Sequence, residues 1–292
     1  MIIIDSAGPL ALIEDLGRPG YAHLGVPVSG AADRGALRAA NRLVGNREHS
    51  AAIEITLGGL ELRTDAPLWC AIAGPATTIM INNRAEPSHR PIHLAADDRL
   101  AVRPSEHGLR SYLAVRGGID SGVVLGSRST DLMSGLGPPR LSTGDRLMVG
   151  IPELPFPGID VTPPPLPPGQ PALIETEPGP RSDWFTDSAL TSLYEQTWTA
   201  DADSDRTAVR LNGSPLERRI TAELPSEGLL RGAVQVPPSG LPLIFGSNHP
   251  VTGGYPVIAV ATPQGCDRAA QLRPGDPLRF VPVNSARSHQ EG

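Results

Sequence analysis

Residues 53–62 read IEITLGGLEL, and this stretch carries the pattern that decides the fold. Its apolar residues alternate with Glu54 and Thr56, which is the period-2 pattern of a half-buried β-strand. The pair Gly58-Gly59 interrupts the run before a second alternating stretch, so we predict a β-hairpin here. The stretch therefore favours sheets over long helices.

Similar short apolar runs, bounded by turn residues, occur along the whole chain. Runs of this length and composition are typical of strands in a mainly β protein. Those in the first half are Trp69–Ala73, Thr77–Ile81, Arg99–Val102 and Ser111–Val115. Those in the second half are Ala172–Thr176, Val257–Val260 and short runs around Val209, Val234 and Leu243.

Each half also contains one predicted helix. In the first half Ser29 or Asp33 can cap the helix, and Gly45-Asn46 can end it in the left-handed conformation that glycine permits. Its apolar stripe is formed by Leu37, Ala40, Leu43 and Val44. The second helix is predicted near Ser188–Trp198, followed by further strands. The two halves therefore share one order of elements.

Residues 151–171, IPELPFPGIDVTPPPLPPGQP, separate the halves. Proline fixes φ and removes a hydrogen-bond donor, which excludes a helix or a central strand. A Gly-Asp turn into an alternating strand closes each half, at 144–152 and 275–283. We therefore predict an N-terminal β-barrel domain at 1–150, an extended proline-rich linker, and a C-terminal β-barrel domain at 172–292. A ligand for a proline-recognition domain is the alternative for the linker.

The composition limits the chemistry. The 292 residues include 32 Gly, 32 Pro and only 19% charged residues, which suits a chain with many tight turns. All 25 basic residues are arginine. The chain therefore lacks a Schiff-base lysine, a phosphate-loop lysine and a lysine that could carry biotin. The net charge of −6, with no basic stripe, argues against nucleic acid as a partner.

The cysteines and the termini carry no special signal. Cys70 and Cys266 have no disulfide or metal-ligand spacing, so we expect buried free thiols and no dedicated metal site. The first residues, MIIIDSAGPL, lack the pattern of a secretory signal. No apolar run approaches the roughly 20 residues of a membrane span. We expect a soluble, cytoplasmic protein without a membrane partner.

Several longer segments are too unusual for a generic β-protein. They are EDLGRPGYAHLGVPVSGAAD (14–33), NRLVGN (41–46), YLAVRGGID (112–120), LGSRSTDL (125–132), ELPSEGLLRGAVQVPPSGLP (223–242), HPVTGGYPVIAV (249–260) and QLRPGD (271–276). Together they resemble the family that comprises allophanate hydrolase subunit 2, the C-type subunit of 5-oxoprolinase, and biotin-dependent carboxyltransferase-like proteins. The resemblance spans nearly the whole chain.

The resemblance implies two cyclophilin-like β-barrel domains with a few short helices. It implies the C-type subunit of a bacterial ATP-dependent 5-oxoprolinase, which works with B-type and A-type subunits to convert 5-oxo-L-proline to L-glutamate. ATP with Mg²⁺ is then the implied cofactor. One alternative within the family is the carboxyltransferase part of a urea carboxylase system, with biotin carried on another chain. A regulatory protein that binds its B-type partner is a further alternative.

Three arginines in these motifs are candidates for binding a substrate or another anion. Arg18, Arg116 and Arg128 lie beside glycines or small polar residues, and a guanidinium group suits planar or phosphorylated anions. The alternative is a structural role, through salt bridges or bonds to loop carbonyls. Candidate partners for such bonds are Asp15, Asp33 and Asp131.

The second half offers candidates for catalysis and substrate binding. Glu227, Gln235 and His249 can transfer a proton or orient an amide, and Thr252 and Tyr255 add hydroxyl groups. For His249, which precedes a proline, a solvated loop histidine is the alternative.

The glycine clusters GRPGY (17–21) and TGGYP (252–256) do not have phosphate-loop spacing, so we interpret them as tight turns. Their backbone amides could form an anion nest. We expect the arginines of the first half and Glu227, Gln235 and His249 to line one cleft, between the domains or against a partner subunit.

Overall fold

The computed structural model describes residues 1–158, 161–165 and 171–283. The chain divides into two compact units, Met1–Pro167 and Pro168–Gly292. The division falls inside the predicted linker, at residues that lie outside the described part of the chain. The three domain ranges given above stay a prediction.

Strands dominate the first unit. In chain order they are β1 (Ile2–Ala7), β2 (Leu10–Glu14), β3 (Ala52–Thr56), β4 (Leu60–Thr64), β5 (Leu68–Ala73), β6 (Thr78–Ile81), β7 (Arg84–Pro87), β8 (Ile92–Leu94), β9 (Arg99–Val102), β10 (Arg110–Val115), β11 (Ile119–Asp120) and β12 (Arg146–Val149). A helix, α1 (Arg34–Leu43), lies between β2 and β3 in the chain. The four strands predicted between Trp69 and Val115 are confirmed to within one residue at either end.

The strands of the first unit form two sheets around one core. One sheet has the order β11-β12-β1-β4-β9-β6-β7, and the other has the order β2-β3-β10-β5-β8. Aliphatic side chains from both sheets pack together between them. Ile4 and Leu62 of the first sheet and Ile53, Ile72 and Leu113 of the second are each at most 2% exposed. The hydrophobic half of the alternation thus faces the core.

The predicted hairpin at Gly58-Gly59 is wrong. Strand β3 pairs with β2 and β10, whereas β4 pairs with β1 and β9, so the two strands belong to different sheets. Gly58 and Gly59, with φ of +70° and +80°, turn the chain from one sheet to the other. Glu54 is only 1% exposed because the outer face of β3 is also covered.

Helix α1 covers that outer face. Asp33 caps it by accepting a hydrogen bond from the Ala36 N–H at 2.8 Å, and the chain leaves the helix through Gly45 at φ +66°. The predicted stripe is buried against the sheet. Alanines of the sheet give the helix room to approach; they are Ala52, Ala71, Ala73 and Ala114. The prediction of this helix is confirmed, with Asp33 rather than Ser29 as the cap.

The described part of the proline-rich segment lies on the surface of the first unit. Arg116 donates to the Leu154 carbonyl at 2.8 Å, and the Phe156 ring packs edge-on against Trp69 at 5.0 Å. Further along, the Thr162 N–H donates to the His89 carbonyl at 2.9 Å. The segment borders an open cavity of about 440 Å³, lined by Trp69, Pro87, Ser88, Arg90, Pro91, Phe156 and Val161.

The second unit repeats a strand–helix–strands order. Its strands are β13 (Ala172–Pro178), β14 (Trp198–Ala200), β15 (Ala208–Asn212), β16 (Glu227–Gly228), β17 (Ala233–Gln235), β18 (Leu243–Phe245), β19 (Thr252–Gly253), β20 (Val257–Ala261) and β21 (Pro277–Pro282). Its helices are α2 (Asp187–Glu195) and α3 (Pro263–Ala269). All the strands predicted here are confirmed, whereas α3 was not predicted.

Seven of these strands close into a barrel in the order β13-β20-β17-β18-β15-β14-β21. The first and last strands run parallel, with Ala172 opposite Leu278. The interior is filled by large side chains, including Ile174, Trp198 and Phe280, each at most 1% exposed. The mainly β fold with a few short helices, and a barrel in this unit, is therefore confirmed.

Helix α2 is shorter than predicted. It ends at Glu195, and Trp198 begins β14 instead of ending the helix. The Trp198 indole N–H donates to the Leu193 carbonyl at 3.1 Å, which fixes the ring inside the barrel. Within the described ranges, none of the helices is both long and apolar enough to cross a membrane.

Candidate functional site

In the second unit, Glu227 lies on a short two-stranded sheet outside the barrel. Strand β16 pairs with β19 and sets Glu227 opposite Gly253. Both carboxylate oxygens accept from Arg181, through its Nε at 3.1 Å and its Nη2. This bidentate pair lowers the pKa of Glu227 from its usual value. Glu227 is therefore suited to orient a polar group, and poorly suited to donate a proton near neutral pH.

Gln235, at the end of β17, holds the neighbouring turn. Its Nε2 donates to the Tyr255 carbonyl at 2.8 Å, and its side chain is 3% exposed. The Gln235 side chain fits here because residue 253 is glycine. A Cβ on Gly253 would lie 2.7 Å from the Gln235 Nε2 and 2.7 Å from the Leu229 Cδ1. Glu227, Gln235 and Tyr255 therefore gather around the TGGYP turn.

Tyr255 carries the exposed part of this cluster. Its side chain is 44% exposed, and the Arg218 guanidinium lies over its ring, 6.0 Å from the ring centre. Arg218 Nη2 donates to the Val236 carbonyl. Burial lowers the pKa of Arg218, because the charged form loses water. Thr252, in the same turn, is exposed.

His249 is buried, and the interpretation of it as a solvated loop residue is wrong. Its side chain is 5% exposed, and its ring lies 6.3 Å from that of Phe245. The Nδ1 atom is 2.8 Å from the Pro250 carbonyl, which can only accept. Nδ1 therefore carries a proton, which it donates to that carbonyl. The packing of Leu229 and Phe245 in one apolar cluster links this loop to the Gly253 turn.

In the first unit, Arg18 is a buried cation with carbonyl partners. Its side chain is 1% exposed; Nε donates to the Val124 carbonyl at 3.4 Å, and Nη2 donates to the Ser129 carbonyl. Among the described residues, its Nη1 has no acceptor. The predicted alternative of loop-carbonyl bonds therefore describes Arg18, and a salt bridge to Asp15 does not.

Asp15 has a different set of partners. Its Oδ1 accepts from Gly17 N at 2.7 Å, Ser127 Oγ at 2.7 Å and Ser129 Oγ at 2.6 Å, and its Oδ2 accepts from Arg128 N at 2.7 Å. This carboxylate fastens the GRPGY turn to the loop at 127–129. The Gly17 amide is used inside the protein, which agrees with a tight turn at GRPGY.

Arg116 and Arg128 are held at separate places. Arg116 Nη1 donates to the Val44 carbonyl at the end of α1, at 2.9 Å, and its guanidinium lies over the Phe156 ring at 5.1 Å. Arg128 forms an exposed ion pair with Asp120 at 2.7 Å. Arg18 is bonded to Ser129, the residue that follows Arg128, whereas Arg116 is bonded to Val44 and Leu154. Their role in binding an anion stays a prediction, as does a common cleft with residues of the second unit.

The aspartates predicted as their partners have other roles. Asp33 caps α1, and Asp131 accepts from the backbone N–H of Met133 at 3.0 Å in a turn. In the described part of the chain, no three His, Cys, Asp or Glu side chains come together as a metal site requires.

Comparison with known proteins decides the family. The profile of the family described as "Carboxyltransferase domain, subdomain A and B" matches residues 24–282. The chain belongs to this carboxyltransferase family. The family resemblance drawn from the sequence motifs is thus confirmed. The residues of the second unit described in this section all fall inside the matched range, whereas Asp15, Gly17 and Arg18 precede it.

Relatives of this carboxyltransferase-family chain differ in their size. The C-type subunit of the 5-oxoprolinase of Escherichia coli is 36% identical over 289 residues, which cover 96% of this chain and 91% of that protein. The urea amidolyase of Lachancea kluyveri is 31% identical over 96% of this chain, but only 17% of that protein is covered. The crystal structure of the K. lactis urea amidolyase superimposes with a TM-score of 0.90 at 29% identity, covering 97% of this chain and 19% of that one.

Arg181 and Arg218 are members of the candidate site that sequence reasoning missed. Arg181 follows a Gly-Pro pair and lies in no recognised motif. The signal in the sequence for a nearby cation was Glu227 in LPSEG, a carboxylate with no basic residue beside it in that motif. Arg218 stands in LERR, a sequence with no motif of its own. Both are brought to the Gly253 turn by long-range packing.

Proposed function

We propose that this chain is the C-type subunit of an ATP-dependent 5-oxoprolinase, active in a cytoplasmic complex with B-type and A-type subunits. The observation that carries the proposal is the match to the C-type subunit of the E. coli enzyme, which covers 96% of this chain and 91% of that protein at 36% identity. A match of this extent supports the same place in a multi-subunit enzyme. The reaction is the opening of 5-oxo-L-proline to L-glutamate with consumption of ATP.

The cluster around the Gly253 turn is the proposed substrate site. Glu227, kept ionised by Arg181, is suited to orient the substrate amide. His249, whose Nδ1 donates to the Pro250 carbonyl, is the better group for proton transfer. Gln235 acts indirectly, because its amide holds the Tyr255 backbone. These assignments give each side chain a role that its contacts allow.

The contacts to the nucleotide are assigned separately, because each of the three predicted arginines already has partners within this chain. The donors of Arg18 and Arg116 are directed to backbone carbonyls, and Arg128 is paired with Asp120. We therefore assign most ATP and Mg²⁺ contacts to the partner subunits and derive no step through the nucleotide here.

Reconstitution tests the function. The chain is co-expressed with its B-type relative, the A-type subunit is added, and glutamate and ADP are measured with and without 5-oxoproline. We expect both products only with all three subunits, and a loss of about 10²–10⁴ in turnover for His249→Gln if it transfers the proton. Absence of 5-oxoproline-dependent products from a well-formed complex would refute the proposal.

A carboxyltransferase of the urea carboxylase type is the second candidate. The TM-score of 0.90 to a urea amidolyase supports it, as does the family profile. Biotin would then arrive on another chain, because this sequence has no lysine to carry it. Carboxyl transfer from carboxybiotin to urea by the same purified complex, without activity on 5-oxoproline, would favour this candidate.

A further inference from the structure

Arg218 differs from three other arginines of the second unit. Arg181, Arg231 and Arg268 each form an ion pair, with Glu227, Asp267 and Glu175. Within the part of the chain that the structure describes, Arg218 has no such carboxylate. Its Nη2 donates to one backbone carbonyl, and its Nε is buried without an acceptor.

Keeping the Arg218 guanidinium partly buried without an anionic partner costs free energy of folding. Removing a guanidinium from water without an anionic partner loses solvation that one carbonyl bond does not replace. The depressed pKa of Arg218 has the same cause, namely desolvation. A site that keeps such a cation beside a surface turn is suited to an anion that arrives from outside.

The groups that surround Arg218 restrict the chemical class of the ligand. The Arg218 guanidinium lies over the Tyr255 ring, which is 44% exposed and therefore open to a ligand. Gln235 fixes the backbone of that tyrosine, and Glu227 lies on the strand beside the same turn. A small molecule with a carboxylate and a compact ring could pair with Arg218 and pack against Tyr255.

We propose that Arg218 and Tyr255 bind the carboxylate end of a small cyclic amide acid, with the Arg218 guanidinium paired to the carboxylate. If the proposed function holds, on which the identity of this ligand rests, the ligand is 5-oxo-L-proline. The amide of the ring is then left to Glu227 and His249. Urea has no carboxylate, so a urea site gains nothing from Arg218.

Equilibrium binding to the complex of this chain with its B-type partner tests this inference apart from turnover. Calorimetry compares 5-oxoproline with 2-pyrrolidinone, which has the same ring without the carboxylate. We expect wild type to bind 5-oxoproline, and Arg218→Gln to weaken it by about 10- to 100-fold, the usual loss of a hydrogen bond to a charged group. Binding of 2-pyrrolidinone should be weak and unchanged by Arg218→Gln. Arg268→Gln, which removes an exposed and paired arginine, is the matched control.

A purely structural Arg218 gives another pattern. In that case Arg218→Gln lowers the thermal midpoint while 5-oxoproline binds as in wild type, and the inference is overturned. Failure of wild type to bind 5-oxoproline also overturns it. Binding that depends on Arg218, without any formation of glutamate, supports the carboxylate site and contradicts the proposed function instead. Tyr255→Phe should keep most of the affinity and Tyr255→Ala should lose it, because the ring is the contact surface.

Discussion

The Asp15 carboxylate offers the sharpest test of how the first unit is held together. It accepts four hydrogen bonds at 2.6 to 2.7 Å, from two backbone amides and two serine hydroxyls. In Asp15→Asn the amide oxygen can keep the three donors at Oδ1. The new NH₂ group must then face the backbone N–H of Arg128, so that a donor meets a donor.

The size of the destabilisation is set mainly by the lost hydrogen bond from the Arg128 backbone N–H. An unsatisfied buried donor costs about 1–3 kcal/mol. The other three hydrogen bonds also weaken, which adds to the free-energy cost. Part of that cost is offset, because burying a neutral amide is less unfavourable than burying a carboxylate. For a unit of this size, such a loss lowers the melting temperature by about 2–12 °C.

Scanning calorimetry of the purified chain measures the effect, with the two units treated as separate transitions. Asp120→Asn is the matched control, because that side chain is 57% exposed and its ion pair with Arg128 lies at the surface. We expect the control to change stability by no more than about 0.5 kcal/mol. Equal shifts in the two variants would show that the Asp15 network is not what fastens this loop.

Three single contacts give the remaining predictions. The Cys70 thiol, whose pKa burial raises to about 12, should resist thiol reagents at pH 8 until the protein unfolds; rapid labelling of the native chain would contradict this. Gly45→Ala should destabilise the first unit by about 1–2 kcal/mol in chemical denaturation, because the backbone there is left-handed and Arg116 Nη1 lies 2.8 Å from the new Cβ. The pKa of Glu227 should lie below its ordinary 4.5 in an NMR titration and return toward it in Arg181→Gln; the ion pair thus stabilises the fold above that pKa and is lost as pH falls through it. An unchanged value in the variant would mean that Arg181 is not the cause.

Local patterns predicted the elements of this fold well. Helix α1 was predicted from its cap and stripe because both signals lie within a dozen residues. The strands were found for the same reason, since alternation is a property of neighbours in sequence. The mistake at Gly58-Gly59 came from assuming that β3 pairs with the strand that follows it. Pairing depends on distant strands, which a local pattern does not contain.

The candidate site was predicted less completely, for a related reason. Glu227, Gln235 and Tyr255 were found through their motifs, and the structure gathers them around one turn. The cations that act on them, Arg181 and Arg218, come from segments that carry no signal of their own. The state of His249 also depended on distant packing, because burial by the Phe245 cluster cannot be read from the proline that follows it.

The strand order has a consequence for how the chain is made. In each unit the first strand is hydrogen-bonded to the last: Ile2 lies opposite Leu147, and Ala172 lies opposite Leu278. During synthesis, neither sheet system can be completed until its final strand has left the ribosome. The first unit can then fold while the second is still being translated, as is usual for successive domains. Such long-range pairing is slow, so a pause in translation after β12 would favour correct assembly.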